Sequence, residues 1–509
     1  MLKLVDNLLD KITMYRLVLY YLIGLLLIAA LAGQIGYLNY SPAAIVFSSL
    51  ILVIISWLSN KLFASIFKAP TNTESALITA LILALIISPV NALSGVWLLI
   101  IAALLSMASK YLLAVNKKHI FNPAAIAVVI TAIVTGQTAS WWVGTPKLLP
   151  FVILGGLLLT RKIHRGGMIT TFLATALGTT TIYALFSNED MVLYLRRTLL
   201  SSALFFLAFV MLTEPLTSPS TKRKQRWYSL LAGVLFPPQV HFFSLYSTPQ
   251  LVLVISNLFS YIVSSRTKLL PKLIHKEPLS ENIFNLRFRP NQQLSYKAGQ
   301  YMEWTLPHAH PDSRGNRRYF TLASSPTESD ICLGVKFSPD GGGSSFKKAL
   351  LSLTNSGIIS ASQLGGDFVL PKDPNLKIVF IAGGIGITPF RSMLKYLLDK
   401  DEQRTISILY SASSATDFIY RDILDTASQK LSTKVVYTLS GPKDIPPEWH
   451  GKRGSISASM IKEEIPDYAE RLFYISGPQS MVETVHHILK NELSLGGQQI
   501  KTDFFPGYA

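Results

Sequence analysis

Cysteine is nearly absent: Cys332 is the only one in 509 residues. Within the chain that excludes a disulfide, a Cys-ligated iron–sulfur cluster and a Cys-rich structural zinc site. Charge is scarce too, at 15% of residues against a hydrophobic fraction of 49%, far from the averages of soluble domains. Acidic side chains are scarcest where the chain is most apolar, with six Asp and Glu in residues 1–265 and twenty-four in residues 266–509. Two solvents are implied, a bilayer for the first part and water for the second. Eighteen Lys and Arg face those six acids in the first part, so most of the formal net charge of +17 sits in the apolar half. An excess placed there sets membrane orientation rather than binding nucleic acid, and no nucleic-acid partner is expected. The first thirteen residues are polar, include Asp6 and Asp10, and lack the apolar run of a removable signal peptide.

What is present in the first half is a series of apolar runs. A bilayer span needs about 20 mostly apolar residues, and candidates fall at roughly 14–33, 41–59, 73–91, 94–113, 121–137, 148–160, 167–187, 198–214, 228–246 and 250–265. About ten spans are expected, the short sixth and the Pro237-Pro238-containing ninth being the weakest. Cations gather in every second connection: Lys3, Lys11 and Arg16; Lys61 and Lys68; Lys117 and Lys118; Arg161, Lys162 and Arg165; Lys222, Arg223, Lys224 and Arg226. The opposite connections hold Lys147, Arg196 and Arg197. By the positive-inside rule both ends of the chain lie in the cytoplasm, on an inner or plasma membrane. His119, His164 and His241 fall near proposed ends or loops, which disfavours a stacked two-haem conduit, and no metal site is expected.

Three segments in this half carry a resemblance: Glu74-Ser-Ala-Leu-Ile-Thr-Ala-Leu-Ile-Leu-Ala-Leu, the Phe121-Asn-Pro-Ala-Ala run, and Thr213-Glu-Pro-Leu-Thr-Ser-Pro-Ser-Thr221. With the Arg161-Lys-Ile-His loop, they resemble RnfD, a membrane protein of the Rnf electron-transport complex, and its relative NqrB of the sodium-pumping NADH:quinone reductase. The resemblance implies electron transfer through a flavin within the bilayer, alongside further membrane subunits. One stretch departs from it. That family's external Ser-Gly-Ala-Thr segment, which holds a covalent flavin, is replaced by Thr138-Ala-Ser-Trp-Trp-Val-Gly-Thr145. A noncovalent flavin or a quinone is therefore the expectation for this half, with no covalent attachment. Read without the resemblance, Asn122-Pro123 and Pro215 break helices and Glu214 is an interfacial carboxylate.

After Arg266 the pattern changes to short β-rich runs such as Ile283-Phe-Asn-Leu-Arg-Phe-Arg289, and from about Asn375 strands alternate with helical segments. Pro371-Lys-Asp-Pro374 marks the boundary. In the first of these regions Arg318-Tyr-Phe-Thr-Leu-Ala-Ser-Ser-Pro326 follows Lys297-Ala-Gly-Gln-Tyr301. A guanidinium suits a flavin phosphate, an aromatic ring packs on the isoalloxazine, and a hydroxyl bonds its N5. Those roles fall to Arg318, Phe320 and Thr321, with Tyr319 between them, and the motif resembles the Arg-x-Tyr-Ser/Thr signature of the ferredoxin-NADP reductase superfamily. Phe320 stands where tyrosine is usual.

Gly341-Gly-Gly-Ser-Ser-Phe-Lys-Lys-Ala-Leu-Leu351 reads as a glycine-rich turn opening a helix, whose unpaired N–H groups suit a pyrophosphate. Gly343, Ser344 and Ser345 are the phosphate candidates, and a pyrophosphate site favours FAD over FMN. Gly366-Asp-Phe-Val-Leu-Pro371 resembles the segment closing the barrel in the same superfamily.

Lys377-Ile-Val-Phe-Ile-Ala-Gly-Gly-Ile-Gly-Ile-Thr-Pro-Phe390 runs from a buried strand through a glycine turn into a helix, and Ser476-Gly-Pro-Gln-Ser-Met481 follows about 90 residues later. Gly383, Gly384, Gly386, Thr388 and Pro389 are candidates for the nicotinamide dinucleotide, with Gly477 and Pro478 at a second strand-end turn. Ser476 stands where the superfamily often has cysteine. The terminal Asp503-Phe-Phe-Pro-Gly-Tyr508 resembles segments that cover the flavin face; Phe505 is the covering ring or simply packs on the barrel. Thr321, Ser476 and Phe505 are the catalytic candidates. After Ile406-Ser-Ile-Leu-Tyr410, the run Ser411-Ala-Ser-Ser-Ala-Thr416 offers no cation for a 2′-phosphate, which favours NADH over NADPH unless Arg421, Lys443 or Arg453 approaches.

The expected architecture is an α-helical polytopic membrane domain (1–265), a flavin-binding antiparallel β-barrel (270–373) and an α/β Rossmann-like nicotinamide-binding domain (374–509). The expected activity is hydride transfer from NAD(P)H to FAD, with electrons passed on to a bound flavin, a quinone or another acceptor. Two other readings predict different behaviour: a membrane-anchored reductase of a soluble acceptor, and a solute transporter fused to a redox domain.

Overall fold

The computed structural model describes the chain apart from residues 1–4, 6–8, 10–11, 68–72, 116–117, 188–189, 244, 265–267, 310, 313–314, 339–342, 356, 358, 432, 442–446 and 504–509. Phe505, Lys443, Gly341, Gly342, Asp6, Asp10 and the loop cations Lys3, Lys11, Lys68 and Lys117 therefore lie outside the described residues. The chain divides into two compact units, Met1–Arg266 and Thr267–Ala509.

The first unit is helical. Its helices start where the sequence supplies caps: the Ser41 and Asn122 side chains accept the N–H groups of Ala44 and Ala125, with a proline opening each helix. Small residues line the interior, among them Ala29, Ala80, Ala102, Ala125, Ala176 and Ala208, all buried, which lets helix axes approach closely. Large apolar side chains face outward instead, Phe186 at 87% and Ile133 at 79% exposure, a surface that water would not tolerate and lipid would.

The count of ten spans needs correction. Among the described residues, three helices are individually long and apolar enough to cross a bilayer: Met14–Gln34, Pro42–Ile66 and Gly166–Phe186. Met191–Leu200 and Leu204–Met211, bent by 52° at their junction, make a fourth if taken as one broken span. Thr73–Ile86, Val96–Leu112, Pro123–Thr135 and Pro249–Val263 are apolar but shorter. The difference has local causes. Hydropathy windows ran through breaks that the backbone does not, such as the left-handed Gly136 that ends Pro123–Thr135. The expected ninth span fails outright: its helix, Lys222–Leu235, begins in the cations Lys222, Arg223, Lys224 and Arg226, and Pro237-Pro238 lead into a two-stranded turn at 241–246.

The second unit has two parts. Two three-stranded antiparallel sheets come first, one ordered Ser360–Gly365, Tyr301–Thr305, Arg317–Thr321 and the other Lys272–Ser280, Ile283–Arg289, Ile331–Lys336. Their inward residues, including Leu286, Phe288, Met302, Trp304, Leu333 and Val335, share one core with Phe346 of the helix Ser345–Ser352. A six-stranded parallel sheet follows, ordered Lys452–Arg453, Lys434–Leu439, Ile406–Ala412, Ile378–Gly383, Leu472–Ser476, Ile500–Asp503. Its central strand is buried on both faces, as a parallel sheet covered by helices requires: Ile378, Phe380 and Ala382 point into one core, Val379 and Ile381 into the other.

Candidate functional site

The flavin candidates are brought together at one end of the antiparallel part. In the strand Arg317–Thr321, side chains alternate, so Arg318 and Phe320 share a face while Thr321 turns to the other. That shared face meets the start of the helix Ser345–Ser352: the Arg318 guanidinium carbon lies 5.2 Å from the centre of the Phe346 ring, and the Phe320 and Phe346 rings are 6.0 Å apart. Ser344 caps this helix through its side chain, and Gly343 precedes it in the left-handed region at φ 99°. Tyr319 packs edge-on against Tyr301 instead, at 5.5 Å.

Arg318 is almost fully buried, 2% exposed, and donates to the carbonyls of Gly315 and Arg317 at 3.2 and 2.7 Å. It also faces Asp312 at 3.5 Å, whose carboxylate accepts the Ser345 N–H at 2.9 Å. A negatively charged group thus already sits between the guanidinium and the helix start. Asp312 takes donors, the Arg318 guanidinium and the Ser345 N–H, that could serve a phosphate in its place. Arg318, Ser344 and Ser345 are the side chains that would hold the FAD pyrophosphate, and Phe320 the ring that would pack on the isoalloxazine.

The glycine candidates fall in a strand–turn–helix. The strand Ile378–Gly383 ends in a tight turn, Gly384–Ile387, and the helix Thr388–Lys400 begins at once, with Pro389 in its first turn. Glycine at 386 is required by contact: a Cβ there would lie 2.3 Å from the Ser476 carbonyl oxygen. Gly383 and Gly477 meet in the same place, where a Cβ on Gly477 would lie 3.1 Å from the Gly383 Cα. The two strand-end turns therefore close on one another backbone to backbone.

The catalytic candidates Thr321 and Ser476 converge through a residue that sequence reasoning missed. Ile500–Asp503 pairs in parallel with Leu472–Ser476 so that Asp503 is opposite Ser476. The Thr321 hydroxyl donates to the Asp503 carboxylate at 3.4 Å. Burial pushes that carboxyl up to about 7, with the Thr321 hydrogen bond pulling the other way. A carboxyl with a raised pKa therefore sits beside the Thr321 hydroxyl, on the residue paired with Ser476 across the sheet. Asp503 belongs to the terminal Asp503-Phe-Phe-Pro-Gly-Tyr508 motif, whose Phe505 lies outside the described residues. Of the cations weighed for a 2′-phosphate, Arg421 is engaged with rings, 5.8 Å over Phe418 and 5.3 Å over Tyr437.

In the first unit the three quoted segments meet around a cavity. Ser75 and Thr79, Asn122, and Thr213 and Glu214 line it, with Phe209 among the apolar walls. Glu214 accepts hydrogen bonds from Asn122 at 2.8 Å and Thr217 at 3.0 Å, and His119 lies 3.9 Å from its other oxygen. Arg16 bonds Glu74 at 3.0 Å, Lys110 bonds the Ser75 carbonyl at 3.0 Å, and Arg165 bonds the Thr213 carbonyl at 3.1 Å. Cations from three separate stretches of the chain are thereby tied to the segments that line the cavity. The 138–145 loop is packed, not open: Trp142 donates to the Ala84 and Ile87 carbonyls and Trp141 to Gln250. Among the described residues no three His, Cys, Asp or Glu are grouped to hold a metal ion.

Comparison with known proteins follows the same division. Residues 380–487 match the model of the oxidoreductase NAD-binding domain, and residues 144–238 that of the NQR2, RnfD, RnfE family. Over 219 residues, 42% of this chain, it is 27% identical to a flavohemoprotein of Bacillus cereus, covering 53% of that protein. It is 26% identical over 198 residues to a glycine betaine monooxygenase reductase subunit of Chromohalobacter salexigens, covering 38% of this chain and 52% of the relative. A CDP-6-deoxy-L-threo-D-glycero-4-hexulose-3-dehydrase reductase of Yersinia pestis is 30% identical over 202 residues, 39% of this chain and 57% of that one. The chain spans about half the length of these curated relatives. The chain thus carries, in separate parts, a match to the NQR2, RnfD, RnfE family and a match to the oxidoreductase NAD-binding domain.

Proposed function

We propose that the chain is a membrane-bound flavoprotein oxidoreductase that takes hydride from NADH at an FAD held by residues 270–373 and passes the electrons to an acceptor in its membrane half. The observation that carries the reading is the meeting of Thr321, Asp503 and Ser476 beside the Gly383–Gly386 turn. Bound FAD supplies a ring that accepts a hydride and can release electrons one at a time. The protein supplies the rest: Arg318 and the Ser344-capped helix start hold phosphate, Phe320 backs the ring, and the glycine turns hold the dinucleotide. Thr321 orients the reacting edge, and Asp503 holds a proton beside it. The relatives named as reductases support hydride transfer; what each of them reduces stays with that protein.

For the membrane half, support comes from the cavity where the three family-like segments meet. Its apolar walls and one polar edge suit a planar ring with carbonyl oxygens, a noncovalent flavin or a quinone. The concentration of Lys and Arg in every second connection supports a cytoplasmic position for both chain ends, in a plasma or inner membrane. Further electron-transfer subunits, where they bind, would co-purify with the chain. The purified full-length protein should carry FAD, and a second redox ring, that organic extraction releases completely. The denatured band should show no flavin fluorescence on a gel. A colourless, folded protein would overturn the flavin assignment, and a fluorescent denatured band would overturn the noncovalent one.

A further inference from the structure

We infer that Arg391 is a positioning residue for hydride transfer, setting the distance between the flavin-facing strand and the dinucleotide turn; this rests on the function proposed above. Two residues beyond Thr321, the Ala323 carbonyl accepts a hydrogen bond from the Arg391 Nη1 at 3.0 Å. The next carbonyl, Ser324, accepts one from the Ser392 hydroxyl at 2.5 Å. Consecutive side chains of one helix thus hold consecutive carbonyls of the other domain's strand end. That helix is Thr388–Lys400, which begins at the dinucleotide turn, so only Pro389 and Phe390 separate Thr388 from the Arg391 clamp.

The clamp is itself fixed. Arg391 bonds both carboxylate oxygens of Glu328, the Nη2–Oε1 distance being 3.0 Å, and Glu328 accepts the Ser325 N–H at 2.6 Å. The guanidinium is 11% exposed and lies 5.7 Å from the centre of the Tyr420 ring. A bidentate, half-stacked guanidinium is pre-organised in a way an ammonium is not. Close packing completes the joint. A Cβ on Gly334 of the antiparallel part would lie 2.6 Å from the Thr388 Cγ2 and 2.9 Å from the Tyr420 hydroxyl, so the two domains touch with no slack at the helix start. The Tyr420 hydroxyl then donates to Asn285 at 3.3 Å, on the neighbouring strand. Both reacting partners are therefore carried on one rigid joint. Since a misplacement of about 1 Å costs about 100-fold in rate, a residue that sets this joint acts on the reaction without touching the reacting atoms.

The test uses the full-length protein and follows FAD reduction by NADH after rapid mixing, with measured FAD content and NADH affinity. Arg391→Met is expected to slow flavin reduction at saturating NADH about 10- to 100-fold. FAD content and the dissociation constant for NADH should stay within about twofold, and the deuterium isotope effect with 4-deuterated NADH should rise as hydride transfer becomes limiting. Arg391→Lys should recover only part of the rate, because an ammonium lacks the fork. Ser392→Ala, which removes the second carbonyl bond alone, should give a smaller slowing of the same kind and decides the question if Arg391→Met does not fold. Unchanged flavin-reduction rates in Arg391→Lys and Ser392→Ala, with only a lower melting temperature, would assign the joint to stability and overturn the inference. A wild-type protein without FAD would instead overturn the function on which it rests.

Discussion

Arg318 and Asp503 are the two side chains whose chemistry is most exposed to test. Arg318→Ala should weaken FAD binding by about 1.5–3 kcal/mol, the worth of a charge-assisted hydrogen bond, roughly 10- to 150-fold in the dissociation constant. Truncation also removes packing on Phe346, so Arg318→Lys is the control: it keeps charge, loses the fork, and should fall between. Flavin titration of the apoprotein reads both, and unchanged affinity in Arg318→Ala would remove it from the site. Asp503 has a folded pKa of about 7, above the ordinary carboxyl value of 3.8. A raised carboxyl pKa means the folded state binds the proton more tightly, so the stability it contributes is fully present below about pH 4. That contribution is lost as pH rises towards and through 7. The melting temperature, wild type minus Asp503→Asn, should therefore fall between pH 5 and pH 8. A difference that stays constant across that range would mean the carboxyl is not held protonated.

At the scale of elements, the strand, glycine turn and helix at 378–400 were legible because all their determinants are local. A run of buried residues, three glycines and a Thr-Pro pair lie within a dozen positions, and the strand, turn and helix follow in that order. Gly386→Ala should weaken NADH binding about 5- to 150-fold, the cost of forcing a side chain into a filled contact being about 1–3 kcal/mol. FAD content should not change. Equal NADH affinity in the variant would mean the Ser476 carbonyl yields and the turn does not bind the dinucleotide. Asp503 was not legible as a site residue, because only parallel pairing with Leu472–Ser476 brings it beside Ser476 and Thr321. Arg391 was silent for the same reason: its partners at 323 and 328 lie more than sixty residues back. In the first half, apolar content was read correctly and helix continuity was not. Hydropathy averages over a 52° bend between Leu200 and Leu204 and over a proline pair after Leu235, whereas hydrogen-bonded helix ends at each.

At the scale of the whole molecule, the first unit holds more than an anchor would need. One apolar helix would fix a reductase to a bilayer, yet here Glu214, Asn122, His119 and Lys110 are held among helices whose outer faces are apolar. Polar groups in such surroundings are costly and are kept where they do something. The reading that follows is directional, with electrons entering from the cytoplasm and leaving into the bilayer. The most direct measurement uses membrane vesicles of both orientations. NADH added outside inside-out vesicles should reduce a quinone or a trapped lumenal acceptor, and NADH added outside right-side-out vesicles should reduce neither. Equal rates in inside-out vesicles after the first 265 residues are replaced by one unrelated anchoring helix would contradict this, since the membrane half would then carry no electrons.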